Sequence, residues 1–273
     1  MEDRPQLDRL TALLQGVAPR VEHVRVSPSG LTLAIPETQE PLLHVHLLEG
    51  LLQLEAQGQL SQVSHPAFWI CRGDTAHRIS ASTPQALDAV VSFKVHLDGP
   101  VAPLLLADFA QPKFVALNNP DTLLTHVIAL IRSELQVRRC GQPPLLNRAG
   151  DILFIGLMRH LVAQTHAEGS LFSGLSDMRI AAALVAMHEA PEHPWTLESL
   201  SQRAGMSRTA FAVRFKCTTN RAPGKYLKAL RTQIAQRAVK AGLGLKAAAR
   251  ASGYNNVSAL SRVLGRSQPD QTH

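Results

Sequence analysis

Apolar and polar positions change rhythm along this chain, and each rhythm predicts a different kind of structure. Leu7, Leu10, Leu13 and Leu14 recur at helical spacing over residues 4–17, with Gly16 near the end of the pattern. From about residue 22 to 97 the period shortens. The stretches VEHVRVS, LTLAI, LLHVHLL, LLQLEA, AFWIC, HRIS and LDAVVSFKVHL read as strands. Turn signals separate them at Pro28-Ser29-Gly30, Gly50, Gly58 and Arg72-Gly73-Asp74. Short strands at roughly ten-residue spacing predict an all-β barrel or a double-sheet jelly roll.

Helical periodicity returns over 122–137, opening behind Pro120-Asp121 and carrying Leu123, Leu124, Val127, Ile128 and Ile131. It repeats over 145–164 with Ile152, Leu153, Ile155, Leu157, Met158 and Leu161. Two readings stand for this pair: a dimerisation element, or a closure of the barrel's open side. Residues 166–170 read as a linker. Residues 177–190 form the next amphipathic helix, stopped by Pro191.

Two similar helical plans then follow. Thr196 caps a short helix with Leu197, Leu200 and Ala204 on one face. Gly205 supplies the left-handed turn, and Ser207 caps a second helix whose Ala210, Phe211 and Phe215 face inward. Two short helices joined by a glycine-containing turn make a helix-turn-helix, the second helix being free to enter a major groove. Arg208, Arg214 and Lys216 are placed to meet phosphates there. About fifty residues on, an Ala-rich helix over 245–251, a Gly253-Tyr254 turn and a helix opened by Asn256 and carrying Leu260, Arg262 and Leu264 repeat the plan. Between them PGKYLKALRTQIAQRAVK (223–240) is one long helix with a Tyr226, Leu227, Leu230, Ile234, Ala238 stripe. A rigid helix of that kind can hold two reading helices about one DNA turn apart, ~34 Å.

Charge sharpens this division. Residues 191–273 hold 14 Lys and Arg against 3 acidic residues, a net +11, whereas residues 1–190 hold 14 against 18, a net −4. A basic excess confined to one segment is the footprint of a phosphate-binding domain. The N-terminus, MEDRPQLDRL, lacks the apolar core of a signal peptide, and no run approaches the ~18 apolar residues that span a bilayer. These features predict a cytoplasmic protein with no membrane partner. Cys71, Cys140 and Cys217 form no CxxC pair, which argues against a structural zinc site or a disulfide framework.

The C-terminal region resembles the AraC/XylS family of bacterial transcription regulators over about 175–266. Trp195-Thr196-Leu197-Glu198-Ser199-Leu200, Ala204-Gly205-Met206-Ser207-Arg208, Phe211, Arg214-Phe215-Lys216, Pro223, Tyr226-Leu227, Arg231, Ile234-Ala235, Gly253-Tyr254 and Ser261-Arg262 carry the likeness. The resemblance implies promoter DNA as partner, with Thr209, Ala212 and Val213 facing bases in the first unit. In the second unit it implies Val257, Ser258, Ser261 and Arg262. Two departures stand out. Val213 replaces a hydrogen-bonding Arg or Gln, so Thr209, Ala212 and Val213 are suited to thymine methyl groups rather than bidentate readout. Leu260 and Leu264 replace a Phe pair, and the chain stops soon after Gly265, which predicts a second unit less firmly packed than the first.

The N-terminal region is similar to the cupin-type domain of an AraC subgroup, through His46-Leu-Leu-Glu-Gly50 and Gly73-Asp-Thr-Ala-His-Arg78. His44 and His46 share one face of a strand, and His77 lies on a later one. Three readings stand for His44, His46 and His77: a divalent metal site, to which Glu49 and His65 could add ligands, contacts to another effector ligand, or hydrogen-bonded core histidines that each serve a turn. Cys71, near His77 in sequence, is the candidate redox thiol, since an imidazolium would lower its pKa.

Together these readings predict a cupin-like β-barrel with accessory helices over 1–115, a helical pair and linker over 116–170, and an all-α domain over 175–273 with helix-turn-helix units at about 196–217 and 245–264. The function expected is a sequence-specific DNA-binding regulator, not an enzyme, whose N-terminal domain senses a small molecule, metal or oxidant. RNA polymerase and a second copy of the chain are the further partners expected. The alternative is a metal-dependent cupin enzyme with an accessory DNA-binding domain. No serine-histidine-acid set or phosphate loop points to other chemistry.

Overall fold

The computed structural model describes residues 8–25, 28–118, 121–164 and 169–265. The alternating stretches become β1 (Pro19–Val24), β2 (Thr32–Ile35), β3 (Leu42–Leu48), β4 (Leu52–Ala56), β5 (Gln59–Val63), β6 (Ala67–Arg72), β7 (His77–Ala81), β8 (Val91–Leu97) and β9 (Lys113–Ala116). They form two antiparallel sheets, β1-β8-β3-β6-β9 and β2-β7-β4-β5, so the double-sheet jelly roll holds. Strands β5 and β9 carry weak apolar signals, QLSQV and KFVA, and lie outside the stretches whose pattern predicts a strand. The start of the last predicted strand is instead a short helix, Pro84–Asp88, because Pro84 at its first turn favours helix entry and Thr83 is already extended.

Why β3 is the most apolar strand follows from its place. It lies in the middle of the five-stranded sheet and all seven residues are buried. One face meets the inter-sheet core, where Leu33, Leu48, Leu54, Trp69, Cys71 and Ile79 pack together. The other side of the sheet is covered by the long helix Gln142–Gln164. A Cβ on its Gly150 would come within 2.7 Å of Val21 and 2.9 Å of Phe93, so only glycine allows that helix to lie so close to the sheet. The same helix caps the edge strand β1: Asn147 Oδ1 accepts from the His23 amide at 2.8 Å and Asp151 Oδ1 from the Val21 amide at 3.2 Å. The preceding helix, Thr122–Gln136, is N-capped by Asp121, whose side chain accepts from the Leu124 amide at 2.7 Å. The expected Pro120 start falls outside the described residues. Leu130, Leu135, Leu145 and Ile152 of this helical pair remain exposed.

The remaining helices form a second unit. The N-terminal helix Arg9–Val17 belongs to it, packing against Met178–Glu189, and Arg9 donates to the Leu175 carbonyl at 3.0 Å. The pattern residue Leu7 and most of the expected linker, 166–168, lie outside the described residues, while Ser170 caps a short helix, Leu171–Ser176. The unit continues through α8 (Leu197–Arg203), α9 (Arg208–Thr219), α10 (Pro223–Lys240), α11 (Leu245–Ala251) and α12 (Val257–Gly265), numbered in chain order with Met178–Glu189 as α7.

Candidate nucleic-acid interface and sensor core

Thr196 and Ser199 form a reciprocal capping box at the start of α8. Gly205 takes φ +61°, and Ser207 Oγ accepts from the Ala210 amide to start α9. Phe211 and Phe215 are fully buried with ring centres 5.5 Å apart, and Phe215 meets Tyr226 of α10 edge-on at 5.7 Å. The inward face of α9 is therefore fixed by aromatic packing. Its outward face presents Arg208, Thr209, Val213 and Lys216, all exposed, with Ala212 half-buried beside them.

Arg214 does not join that face as a free phosphate contact. Its Nε donates to Asp177 Oδ2 at 2.7 Å, while Asp177 also caps α7 through the amides of Arg179 and Ile180. Burial opposes ionisation of Asp177, but the Arg214 guanidinium and those two amides outweigh it and hold the carboxyl below its ordinary range. Sequence spacing placed Arg214 on the basic face. It could not show an acid 37 residues upstream waiting for it.

The second unit is built differently. Its core is Ala235, Ala248, Ala249 and Leu260, with Ala238, Tyr254 and Leu264 packed around it. Gly253 takes φ +70°, and a Cβ there would sit 2.7 Å from Glu192 Cα. Asn256 Oδ1 accepts from the Ala259 amide at 2.8 Å, so this residue starts α12 rather than offering its oxygen outward. Ser258, Ser261 and Arg262 are exposed and Val257 half-buried; Arg262 Nε leans back on the Ser258 carbonyl at 3.3 Å. Two partly buried contacts of α10 hold the helical domain together. Arg231 donates from α10 to the Pro191 and His193 carbonyls, each at 2.7 Å. His188 meets the Tyr226 hydroxyl at 2.7 Å, and burial lowers its pKa to about 4.

In the jelly roll the three candidate histidines do come together. His44 and His46 stack in parallel at 6.2 Å, and His77 stands 5.2 and 5.0 Å from them. Their hydrogen bonds fix the protons. His77 Nδ1 can only donate to the Thr75 carbonyl at 2.7 Å, so in the neutral ring its Nε2 accepts. His46 Nε2 must then donate to it at 2.8 Å, and His46 Nδ1 accepts from the Ser92 hydroxyl at 2.9 Å. Burial drives all three pKa values down. His46 goes well below its ordinary value with help from His77 and His44, and His44 to about 4 with help from His77, Lys94 and His96. In His77 the Thr75 carbonyl works against that shift.

This arrangement does not fit a resident metal ion. The His46 and His77 Nε2 atoms share one proton with each other instead of both turning lone pairs on an ion, and the described residues hold no group of three donors so placed. Glu49 is paired with Arg132, and His65 packs edge-on against Phe114 at 5.5 Å, so neither belongs to the cluster. The Cys71 expectation is also reversed. The thiol faces the inter-sheet core, where burial raises its pKa to about 12, opposite to what a redox thiol needs. Cys140 and Cys217 are the exposed thiols.

A two-sheet jelly roll joined in sequence to a paired helix-turn-helix unit defines a class of protein, and comparison with known proteins gives its family. A cupin family model matches residues 8–163, and a helix-turn-helix domain model matches residues 200–267. The chain belongs to the cupin family and carries a helix-turn-helix domain after its jelly roll in sequence. It is 28% identical over 159 residues to an HTH-type transcriptional regulator of Haemophilus influenzae, covering 58% of this chain and 51% of that protein. It is 36% identical over 149 residues to an AraC-like transcription regulator of Streptomyces antibioticus, covering 52% and 49%. The chain thus spans about half the length of the curated relatives it matches. Among solved structures, the DNA-binding domain of AdpA in complex with a target DNA is 28% identical, covering 32% of this chain and 79% of that one at a TM-score of 0.31. No helix among the described residues is long and apolar enough to cross a membrane.

Proposed function

We propose that this protein is a sequence-specific DNA-binding transcription regulator of the bacterial cytoplasm, whose jelly roll senses an effector and alters promoter binding. The observation that carries the reading is α9. Phe211 and Phe215 of its inward face are buried against each other and Tyr226, whereas Ala210, expected inward, is exposed; Arg208, Thr209, Val213 and Lys216 stand exposed on a segment of net +11. Lys216 and Arg208 supply phosphate contacts, and Thr209, Ala212 and Val213 supply apolar readout of thymine methyl groups. α10, 18 residues and about 27 Å long at 1.5 Å per residue, spaces the two reading helices. RNA polymerase is a further partner of this reading. So is a second copy of the chain, through the exposed Leu130, Leu135 and Ile152.

The test is affinity for DNA upstream of the protein's own and neighbouring genes against random duplex, measured over a salt series. The expected result is a preference of about a thousandfold with a steep salt dependence. Equal affinity for both would remove the regulator reading. Replacing thymine by uracil in the bound site deletes the methyl groups and is expected to weaken binding about fourfold per contacted methyl, at ~0.8 kcal/mol each. Val213→Ala should abolish part of that difference.

A further inference from the structure

Where β5 ends one sheet and β9 ends the other, the jelly roll opens into a cavity of about 340 Å³. That is within the size range of sites for small molecules, about 300–1,000 Å³. Trp69 and Phe114, paired in register across β6 and β9, supply its aromatic surface. Gln59, Gln62 and Gln111 line it with side-chain amides that take no partner among the described residues, and Ser61 adds a hydroxyl. One end is strapped by Gln57, whose Nε2 donates to the Ala110 carbonyl at 3.2 Å, just before Gln111.

The chemistry of this lining is specific in one respect. Apart from the His65 imidazole, which packs edge-on against Phe114, none of the described residues around it carries an ionisable side chain. Lys113, adjacent to Phe114 in sequence, instead holds its ammonium over the Phe109 ring at 5.2 Å. An ammonium entering here would lose water without gaining a counter-charge, and a carboxylate would find only the His65 imidazole, so burying either charge is costly. A flat ring gains contact with the indole and phenyl surfaces, and its neutral polar substituents can both donate to and accept from the amides. Behind Trp69 the indole stands edge-on to His77 at 5.2 Å and beside His46 at 5.9 Å. Movement of Trp69 would therefore be felt by the buried histidine relay.

We propose that this cavity binds an uncharged, planar ring-bearing molecule, stacked on Trp69 and Phe114 and hydrogen-bonded by Gln59, Gln62 and Gln111. The inference rests on the reading of the jelly roll as a sensor, and it names the class of molecule sensed.

The experiment uses three probes that share one ring and differ in charge: benzamide, benzoate and benzylamine. Binding to the full chain is followed by ligand-observed NMR, and by fluorescence in Trp195→Phe, which leaves Trp69 as the remaining tryptophan of the two. Benzamide is expected to bind saturably and at least about tenfold more tightly than either charged probe. Phe114→Ala, a change at an already exposed side chain, should weaken it about tenfold, and Gln111→Ala about threefold. Absence of saturable benzamide binding, binding of benzoate or benzylamine as tight as benzamide, or indifference to Phe114→Ala would each overturn the proposal. Promoter affinity is measured on the same samples. A protein that selects its promoter but ignores benzamide refutes this inference alone, whereas loss of promoter preference refutes the regulator reading whatever benzamide does.

Discussion

Arg231 and Gly253 meet at the point where the second helix-turn-helix unit is tied down: a Cβ on Gly253 would lie 3.1 Å from Arg231 Nε. The guanidinium is already committed to two carbonyls of the segment before α8, and Glu192 Cα closes the other side at 2.7 Å. The glycine is required twice, by its left-handed backbone and by the space. Gly205, in the same position of the first unit, has a similar φ, but a Cβ there would meet nothing within 4 Å.

Gly253→Ala is accordingly expected to destabilise the helical unit by about 3 kcal/mol, combining backbone strain with a clash against main chain. Gly205→Ala should cost only the backbone component, about 1 kcal/mol. Chemical denaturation of the two variants measures the contrast. Equal losses would show that space at Gly253 plays no part.

The Asp177–Arg214 pair predicts a separation between stability and DNA binding. Arg214→Gln should lower stability yet leave the salt dependence of DNA binding unchanged, because this guanidinium is already engaged. Lys216→Gln or Arg208→Gln should leave stability unchanged and reduce the slope of log affinity against log salt by about 0.9 for each phosphate no longer neutralised. The folded pKa of Asp177 is depressed, so its contribution is complete above the unfolded carboxyl pKa and is lost as pH falls through the folded value. Asp177→Asn should therefore be less stable than the parent at neutral pH, and the gap should close in strong acid.

Histidines buried in the neutral form give the opposite end of the titration. His44, with a folded pKa of about 4 and an ordinary value of 6.5, stabilises fully above pH 6.5 and progressively less as pH falls toward 4, because the unfolded chain takes up the proton first. His46 and His77 act in the same direction. The jelly roll should lose stability steadily over that window, and His44→Asn should flatten the profile. A His44→Asn profile parallel to the parent's would contradict this account.

Cys71 should be inert. With native protein, a thiol reagent at neutral pH is expected to label Cys140 and Cys217 rapidly and Cys71 only after unfolding, consistent with burial and a pKa of about 12. Labelling of Cys71 at a rate close to that of Cys140 would restore it as a redox candidate.

Much of this was legible in the chain because it is local. The period of Leu42–Leu48 and Met178–Glu189, the caps Thr196 and Ser207, and the left-handed glycines at 205 and 253 each depend on a few neighbouring residues. So the two helix-turn-helix units, the basic C-terminal segment and the many-stranded N-terminal region follow from sequence alone. Long-range pairing decided the rest. Strands β5 and β9 exist because partners complete them, not because their own pattern demands it. Arg214 became a structural cation because the fold delivers Asp177 to it. The three histidines were correctly gathered, but whether they offer lone pairs or share protons depends on Ser92 and the Thr75 carbonyl. Likewise the cavity between β5 and β9 draws on four strands and two loops, and no local spacing announces it. Sequence by itself determined which elements form and where basic charge accumulates; tertiary structure decided each polar side chain's partner, because hydrogen bonds and ion pairs are settled by distances that only the folded chain creates.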